Sequence, residues 1–243
     1  MKSILAFILL TFLLQKGEFK KNQLAQSRVK QAYTAQEQRM KEAYKKQDLV
    51  LGQTSIFIQI FKAENLLELW GTDGKHPYKK IKTYEICAAS GQLGPKRKMG
   101  DRQVPEGFYE IDRFNPQSAF HLSLGINYPN ASDKILSDAR HPGGDIFIHG
   151  QCVSIGCVAI TDPYIQELYV AAVEAKEAGQ SRIPVYIFPF RMQETNVQKY
   201  TKRYPDKELT AFWTNLKEGY DYFEKNKKNP SIRVDTKGKY IIQ

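Results

Sequence analysis

Hydrophobic spacing along the chain alternates between period two and a period of three to four, and each switch marks an element. Across residues 22–47, Leu24, Val29, Ala32, Tyr33, Met40 and Tyr44 recur near helical spacing in a polar background, which predicts a helix. Strand-like stretches follow at 55–62, 66–70 and 78–88, with Thr72-Asp-Gly74 as a turn, so the segment reads as a β-meander. Residues 91–100 form a Gly/Pro/basic loop containing Lys96, Arg97 and Lys98, read as a solvated loop. Residues 107–114 are another strand leading into a long loop, and 145–148 and 158–160 are short strands around a tight loop. Asp162 is expected to cap a helix with Pro163 at its first position and Gly179 past its end. Ile165, Leu168, Tyr169, Ala172 and Val173 give that helix its buried stripe. A strand at 183–188, an aromatic amphipathic helix at 206–228 and a hairpin at 233–242 close the chain. The pattern predicts an α+β protein, with a mainly β domain at 51–192 between helical flanks at 18–50 and 193–243.

Residues 1–17 follow a different rule. Lys2 precedes an apolar run from 4 to 14, broken only by Thr11 and ended by Lys16 and Glu18. Eleven helical residues span about 17 Å, short of the ~30 Å a hydrocarbon core requires. The run is therefore expected to be a secretory signal, or a short anchor, because no clear small-x-small cleavage site follows it. Either reading implies export to the periplasm or the extracytoplasmic envelope.

Charge adds little about partners. The net charge is +10, but residues 1–50 hold ten Lys/Arg against four Asp/Glu, and residues 190–243 hold twelve against seven. The remaining 51–189 carry fourteen against fifteen, so the central domain is near neutral. No basic stripe lies on a recognisable module, which argues against a nucleic-acid partner.

Candidate chemistry concentrates in residues 146–160, Ile-Phe-Ile-His149-Gly150-Gln-Cys-Val-Ser154-Ile-Gly156-Cys157-Val-Ala-Ile. A thiol with an ordinary pKa near ~8.5 is mostly protonated at neutral pH and needs a base or positive field beside it. His149 is the candidate base and Cys157 the candidate nucleophile. The backbone N–H groups of Gly156 and Cys157 are oxyanion-hole candidates, and Ser154 is expected to tie the loop through its side chain. Cys87, Cys152 and Cys157 make an odd count. An exported protein then keeps one or all of them free, and a Cys87–Cys152 bond is allowed by number without being argued for by spacing.

His149-Gly150 followed by Ser154-x-Gly156-Cys157-Val resembles the signature of the L,D-transpeptidase catalytic domain (YkuD-type). Asp101-Arg-Gln-Val-Pro105-Glu-Gly107-Phe resembles that family's T-P-x-G-x-F strand. The stretches 121–130 and 141–149 are similar to the murein L,D-transpeptidase (YafK-type) branch, and the likeness runs over roughly residues 50–192. It implies a thioester acyl-enzyme, formed at the meso-diaminopimelate carbonyl of a peptidoglycan stem peptide, in cell-wall biogenesis or remodelling. It also implies that the Gly150 carbonyl orients His149, and it needs no cofactor or metal. His121, Asn127, Tyr128 and His141 are the substrate-groove candidates. The partners implied are stem peptides or peptidoglycan-linked lipoprotein. Two departures bear on outcome: Ala159 stands where many members carry Arg, and the loop between His149-Gly150 and Ser154 is short. Both lean the reading towards hydrolysis over cross-linking.

Two other classes compete. His141, His149, Cys152 and Cys157 are four nitrogen or sulfur groups of the kind that bind zinc, although their spacing matches no common finger. An envelope-binding module without activity is the other, but it would be expected to have lost Cys157 or His149.

Overall fold

A computed structural model describes residues 17–243; the expected signal or anchor lies, apart from Gly17, outside them. The architecture is α+β. Helices α1 (Glu18–Leu24) and α2 (Ser27–Lys45) precede strands β1 (Ser55–Phe61), β2 (Leu66–Thr72), β3 (Lys79–Glu85), β4 (Gly107–Asn115) and β5 (Ser123–Ile126). Then come α3 (Ala131–Leu136), β6 (Phe147–His149), β7 (Val158–Ala159), α4 (Asp162–Glu177) and β8 (Pro184–Phe188). Helices α5 (Glu194–Arg203) and α6 (Lys207–Asn226) and the hairpin β9 (Ile232–Val234)–β10 (Tyr240–Ile242) complete the chain. The main sheet has the order β3-β2-β1-β8-β4-β5-β6-β7. Its pairs are antiparallel except β1–β8 and β6–β7. Among the described residues, no helix is long and apolar enough to cross a membrane.

The period-two alternation of β1 explains why the sheet has two cores. Ile56, Ile58 and Ile60 face a cluster completed by α2 and α4, while Phe57 and Phe61 face an aromatic cluster with Trp213 and Phe223 of α6. Each fully buried side chain of this kind contributes about 1.5–3 kcal/mol. Helix α4 is apolar beyond the expected stripe: Val170, Ala171 and Ala175 are buried too, because α2 lies across its outer face.

Several sequence expectations need correction. The helix expected across 22–47 is two, broken at Gln26, whose backbone is extended. The break lets Phe19 pack edge-on against Phe114 and Gln23 accept the Tyr169 hydroxyl. The long loop after β4 contains β5 and the short helix α3, which Asn130 and Asp133 close with a capping box. The capping residue of α4 is Thr161; Asp162 is the first helical residue, and its carboxylate accepts the N–H of Gln151 instead. Gly179, at φ 102°, does end that helix. The basic loop is not simply solvated. Lys96 is buried and pairs with Asp101 at 2.6 Å, and Arg97 reaches Asp133 at 3.4 Å.

One buried polar knot joins the sheet, the 94–106 loop and α6. Glu106 is fully buried and accepts from Lys62 Nζ (2.9 Å), the N–H of Gly94 (2.7 Å) and Trp213 Nε1 (2.9 Å). Lys62 also donates to the carbonyls of Gly94 and Val104. Removing one partner of such a pair strands the other charge, at a cost of about 3–5 kcal/mol. Lys62→Met is therefore expected to lower the urea midpoint strongly, and adding Glu106→Gln to restore part of the loss. A midpoint that Lys62→Met leaves unchanged would show that the pair contributes nothing.

Candidate active site

The site is built where two very short strands lie side by side. β6 and β7 run parallel with Ile148 opposite Val158 and His149 opposite Ala159. Strand alternation puts Cys157 on the same face as Ala159, and hence on the same face as His149. The eight residues 150–157 make the connection, and their conformation is held at several points. Gln151 and Gly156 have φ of 60° and 132°. Ser154 Oγ accepts the N–H of Gly156 (3.2 Å) and donates to the carbonyl of Cys157 (2.7 Å), so the loop tie expected of Ser154 is present. A Cβ at Gly150 would lie 2.5 Å from Asp162 Oδ1 and 3.0 Å from both Ile165 and the Phe120 carbonyl. Only glycine fits there without displacing a neighbour.

A disulfide between Cys87 and Cys152 fastens the middle of the loop to the segment after β3. Alongside it, Ala88 pairs with Ala159, whose N–H and carbonyl are both taken by residues 87–88. Ala159 is fully buried, and its methyl group carries no charge to the site. The disulfide also removes Cys152 from the four-ligand zinc set.

The imidazole of His149 is buried and its tautomer follows from its neighbour. Nδ1 lies 2.6 Å from the Gly150 carbonyl, which can only accept, so Nδ1 carries the proton and Nε2 keeps its lone pair. The Phe120 ring covers the imidazole, with centroids 4.7 Å apart and a 32° tilt. Burial lowers the His149 pKa, partly opposed by the hydrogen bond to Gly150. Cys157 is half-buried, with Sγ 3.7 Å from the Asp145 carbonyl. Burial pushes its thiol up, a hydrogen bond from the Phe147 backbone pulls it down, the Asp145 charge raises it and Lys96 lowers it. The Asp145 carboxylate is itself held by Arg113 at 2.7 Å. Both shifts favour the uncharged forms of the thiol and the imidazole.

The remaining candidates fall in different places. The N–H of Gly156 is taken by Ser154, whereas that of Cys157 meets no backbone carbonyl among the described residues. His121, at φ 69°, sits beside the Phe120 cover with Nε2 2.9 Å from Gln166 Nε2. Asn127 accepts the N–H of Glu110 through Oδ1 and so ties β4. Tyr128 is buried, and its hydroxyl reaches the carbonyls of Pro142 (3.0 Å) and Lys96 (3.3 Å), bracing a loop. His141 is exposed, and its backbone holds Met99 and Asp138. Sequence reading missed Phe120, the burial of Lys96 near Cys157 and the second use of Asp162. None belongs to a periodic or spaced pattern, so only the fold brings them to the site.

Residues 55–187 match the L,D-transpeptidase catalytic domain (YkuD). The chain belongs to that family. It is 40% identical over 189 residues to "Putative L,D-transpeptidase YafK" of Escherichia coli (strain K12), covering 77% of this chain and 73% of that protein. The protein of the same name from Escherichia coli O157:H7 matches to the same extent. Among solved structures, the helical cell shape determining protein Pgp2 from Campylobacter jejuni is 18% identical, with a TM-score of 0.45 over 75% of this chain and 73% of that one. Bdellovibrio bacteriovorus Bd1075 is 20% identical, with a TM-score of 0.40 over 78% and 77%. Both scores lie below the similarity at which two folds can be equated.

The disulfide closes a loop of 65 residues, which in the chain-entropy account corresponds to about 4 kcal/mol. Neither of its sulfurs belongs to the His149–Cys157 pair. The variant Cys87→Ser/Cys152→Ser is therefore expected to melt roughly 10 °C lower while Cys157 is still alkylated at a rate within a few-fold of the parent. Complete loss of Cys157 reactivity in a variant that remains folded would show that the loop needs the bond to place the thiol.

Proposed function

We propose that this protein is a cysteine acyl-transfer enzyme of the bacterial envelope, acting on peptidoglycan stem peptides. Cys157 Sγ attacks the carbonyl of the meso-diaminopimelate residue as its proton passes to His149 Nε2. The carbon–nitrogen bond breaks, and the leaving amine takes the proton back from His149, leaving a thioester on Cys157. The Gly150 carbonyl holds the imidazole tautomer throughout, and the Cys157 N–H is the better placed donor for the oxyanion, since that of Gly156 is occupied by Ser154. One observation carries the proposal: the parallel register of β6 and β7 puts an imidazole with an unprotonated Nε2 and a free thiol on the same sheet face. Family membership supplies the substrate class.

The outcome we favour is hydrolysis of an L,D-type amide, including one that attaches a lipoprotein to the stem. An acceptor amine must be held near the thioester to compete with ~55 M water. Buried Ala159 offers no guanidinium for such a groove, and the connecting loop is short. Export through the N-terminal segment would place the enzyme where this polymer lies. His121 and His141 remain groove candidates; Asn127 and Tyr128 fit bracing roles better.

Incubation with defined muropeptides and mass spectrometry of the products tests this reading. Cys157→Ala is expected to abolish turnover, losing several orders of magnitude in rate. His149→Gln is expected to lose most turnover near neutral pH and to recover part at alkaline pH, where the thiol ionises unaided. Chelation is expected to have no effect, whereas activity lost to EDTA and restored by zinc would replace this reading with the metal site. New stem-to-stem bonds as the main product would overturn only the hydrolytic preference.

A further inference from the structure

The N-terminal helix pair reaches the candidate active site directly through Arg28. Arg28, in the first turn of α2, donates Nη1 to the carbonyl of Ser118 and, at 2.8 Å, to that of His121. Those carbonyls bracket Phe120, whose ring lies on the His149 imidazole. Inside the bracket, Ser118 Oγ accepts the N–H of Phe120 at 3.1 Å. At its far end His121 takes a left-handed conformation, φ 69°, which a non-glycine residue keeps only where its surroundings hold it. Its imidazole meets Gln166 on α4, and Gln166 accepts from Gln36 of α2 at 3.2 Å. Segment 118–121 is therefore gripped by α2 twice, directly through its carbonyls and indirectly through the His121 ring.

We infer that Arg28 is a positioning residue: by clamping the Ser118 and His121 carbonyls it holds Phe120 flat on His149, which fixes the ring with Nδ1 on the Gly150 carbonyl and Nε2 free. The inference rests on His149 acting as the base. Phe120 is 40% exposed, so it is a cover at the protein surface rather than part of the core, and its backbone is tethered at Ser118 and His121. The Phe120 carbonyl also lies 3.0 Å from the position a Gly150 Cβ would occupy, so the clamp sets the spacing of the strand end that carries the imidazole. The arrangement makes the helical segment after residue 17 part of the working domain instead of a spacer.

Titratable and charged groups near the pair are Cys157, Asp145, Asp162, His121 and Lys96 with its partner Asp101, and among the described residues none is hydrogen-bonded to the His149 ring. The ring's low pKa comes first from burial. Lifting Phe120 admits water, relieves that cost and moves the imidazole titration up towards its ordinary value. A base works only when neutral, so the acid limb of the activity profile should move up in pH with it.

The test uses the whole chain with Arg28→Ala, Arg28→Lys, Phe120→Ala and the Arg28→Ala/Phe120→Ala double variant. His149 is titrated by NMR through its ring protons, and turnover of a defined muropeptide is followed against pH. Arg28→Ala and Phe120→Ala are each expected to raise the His149 titration midpoint and to lower kcat roughly ten-fold with KM little changed. Their effects should not add in the double variant, because both remove the same contact. Arg28→Lys, which keeps the charge but loses the planar guanidinium whose Nη1 meets both carbonyls, should recover only part. An unchanged His149 titration in folded Arg28→Ala, or full additivity in the double variant, would overturn the inference. The NMR titration needs no turnover, so it reads the clamp separately from the role of His149 as base, which His149→Gln tests by itself.

Discussion

Everything at the candidate site follows from one pairing: β6 and β7 lie parallel and adjacent although only eight residues join them. Parallel neighbours ordinarily need a crossover of a dozen residues or more. Closing the connection so tightly demands a left-handed turn at Gln151, a glycine at 150 where no side chain fits and another at 156. Ser154, the Asp162 carboxylate and the Cys87–Cys152 bond hold the result. The reward is geometric. Residues eight apart in the chain come to share one sheet face, and the thiol and the imidazole are presented together by backbone hydrogen bonding rather than by side-chain flexibility.

Electrostatics complete the site in a way the motif does not disclose. Burial lowers the His149 pKa and raises that of Cys157, so both groups are biased towards their uncharged forms; in the mechanism we propose, substrate excludes water and draws the proton across. In that proposed mechanism, the Gly150 carbonyl takes the place of the buried carboxylate in other nucleophile–base–orienter sets. A carbonyl brings no net charge, which fits a pair meant to stay neutral at rest. Phe120 serves the same end from outside, and its tethers run to α2. The sheet sets where the two groups point; the helices set how dry one of them is.

The legible part of the sequence was the part governed by period or by a local string. The alternation in β1, the stripe of α4 and Gly179 at its end were readable because each depends on near neighbours in the chain. His149 and Cys157 stand out as candidates because their loop is short enough to appear as one motif, and the structure puts both on one sheet face. What could not be read depends on distant partners. Gln26 breaks a helix with no proline or glycine beside it, to let Phe19 reach Phe114. Asp162 resembles a cap until Gln151 claims its carboxylate. Cys87 pairs with Cys152 across 65 residues, and Lys96 is buried in a loop whose composition looks solvated. Asn127 and Tyr128, named as groove candidates, make bracing hydrogen bonds to Glu110 and to Pro142 that depend on distant partners.

The account's central claim is that an acyl group passes through Cys157. Rapid acid quenching of the protein with a stem tetrapeptide, followed by intact-mass analysis and peptide mapping, tests it most directly. The account predicts a transient adduct of the acyl fragment on the peptide containing Cys157, released by hydroxylamine as a thioester is and absent from Cys157→Ala. Turnover with no adduct at any quench time, or an adduct that persists in Cys157→Ala, would contradict it.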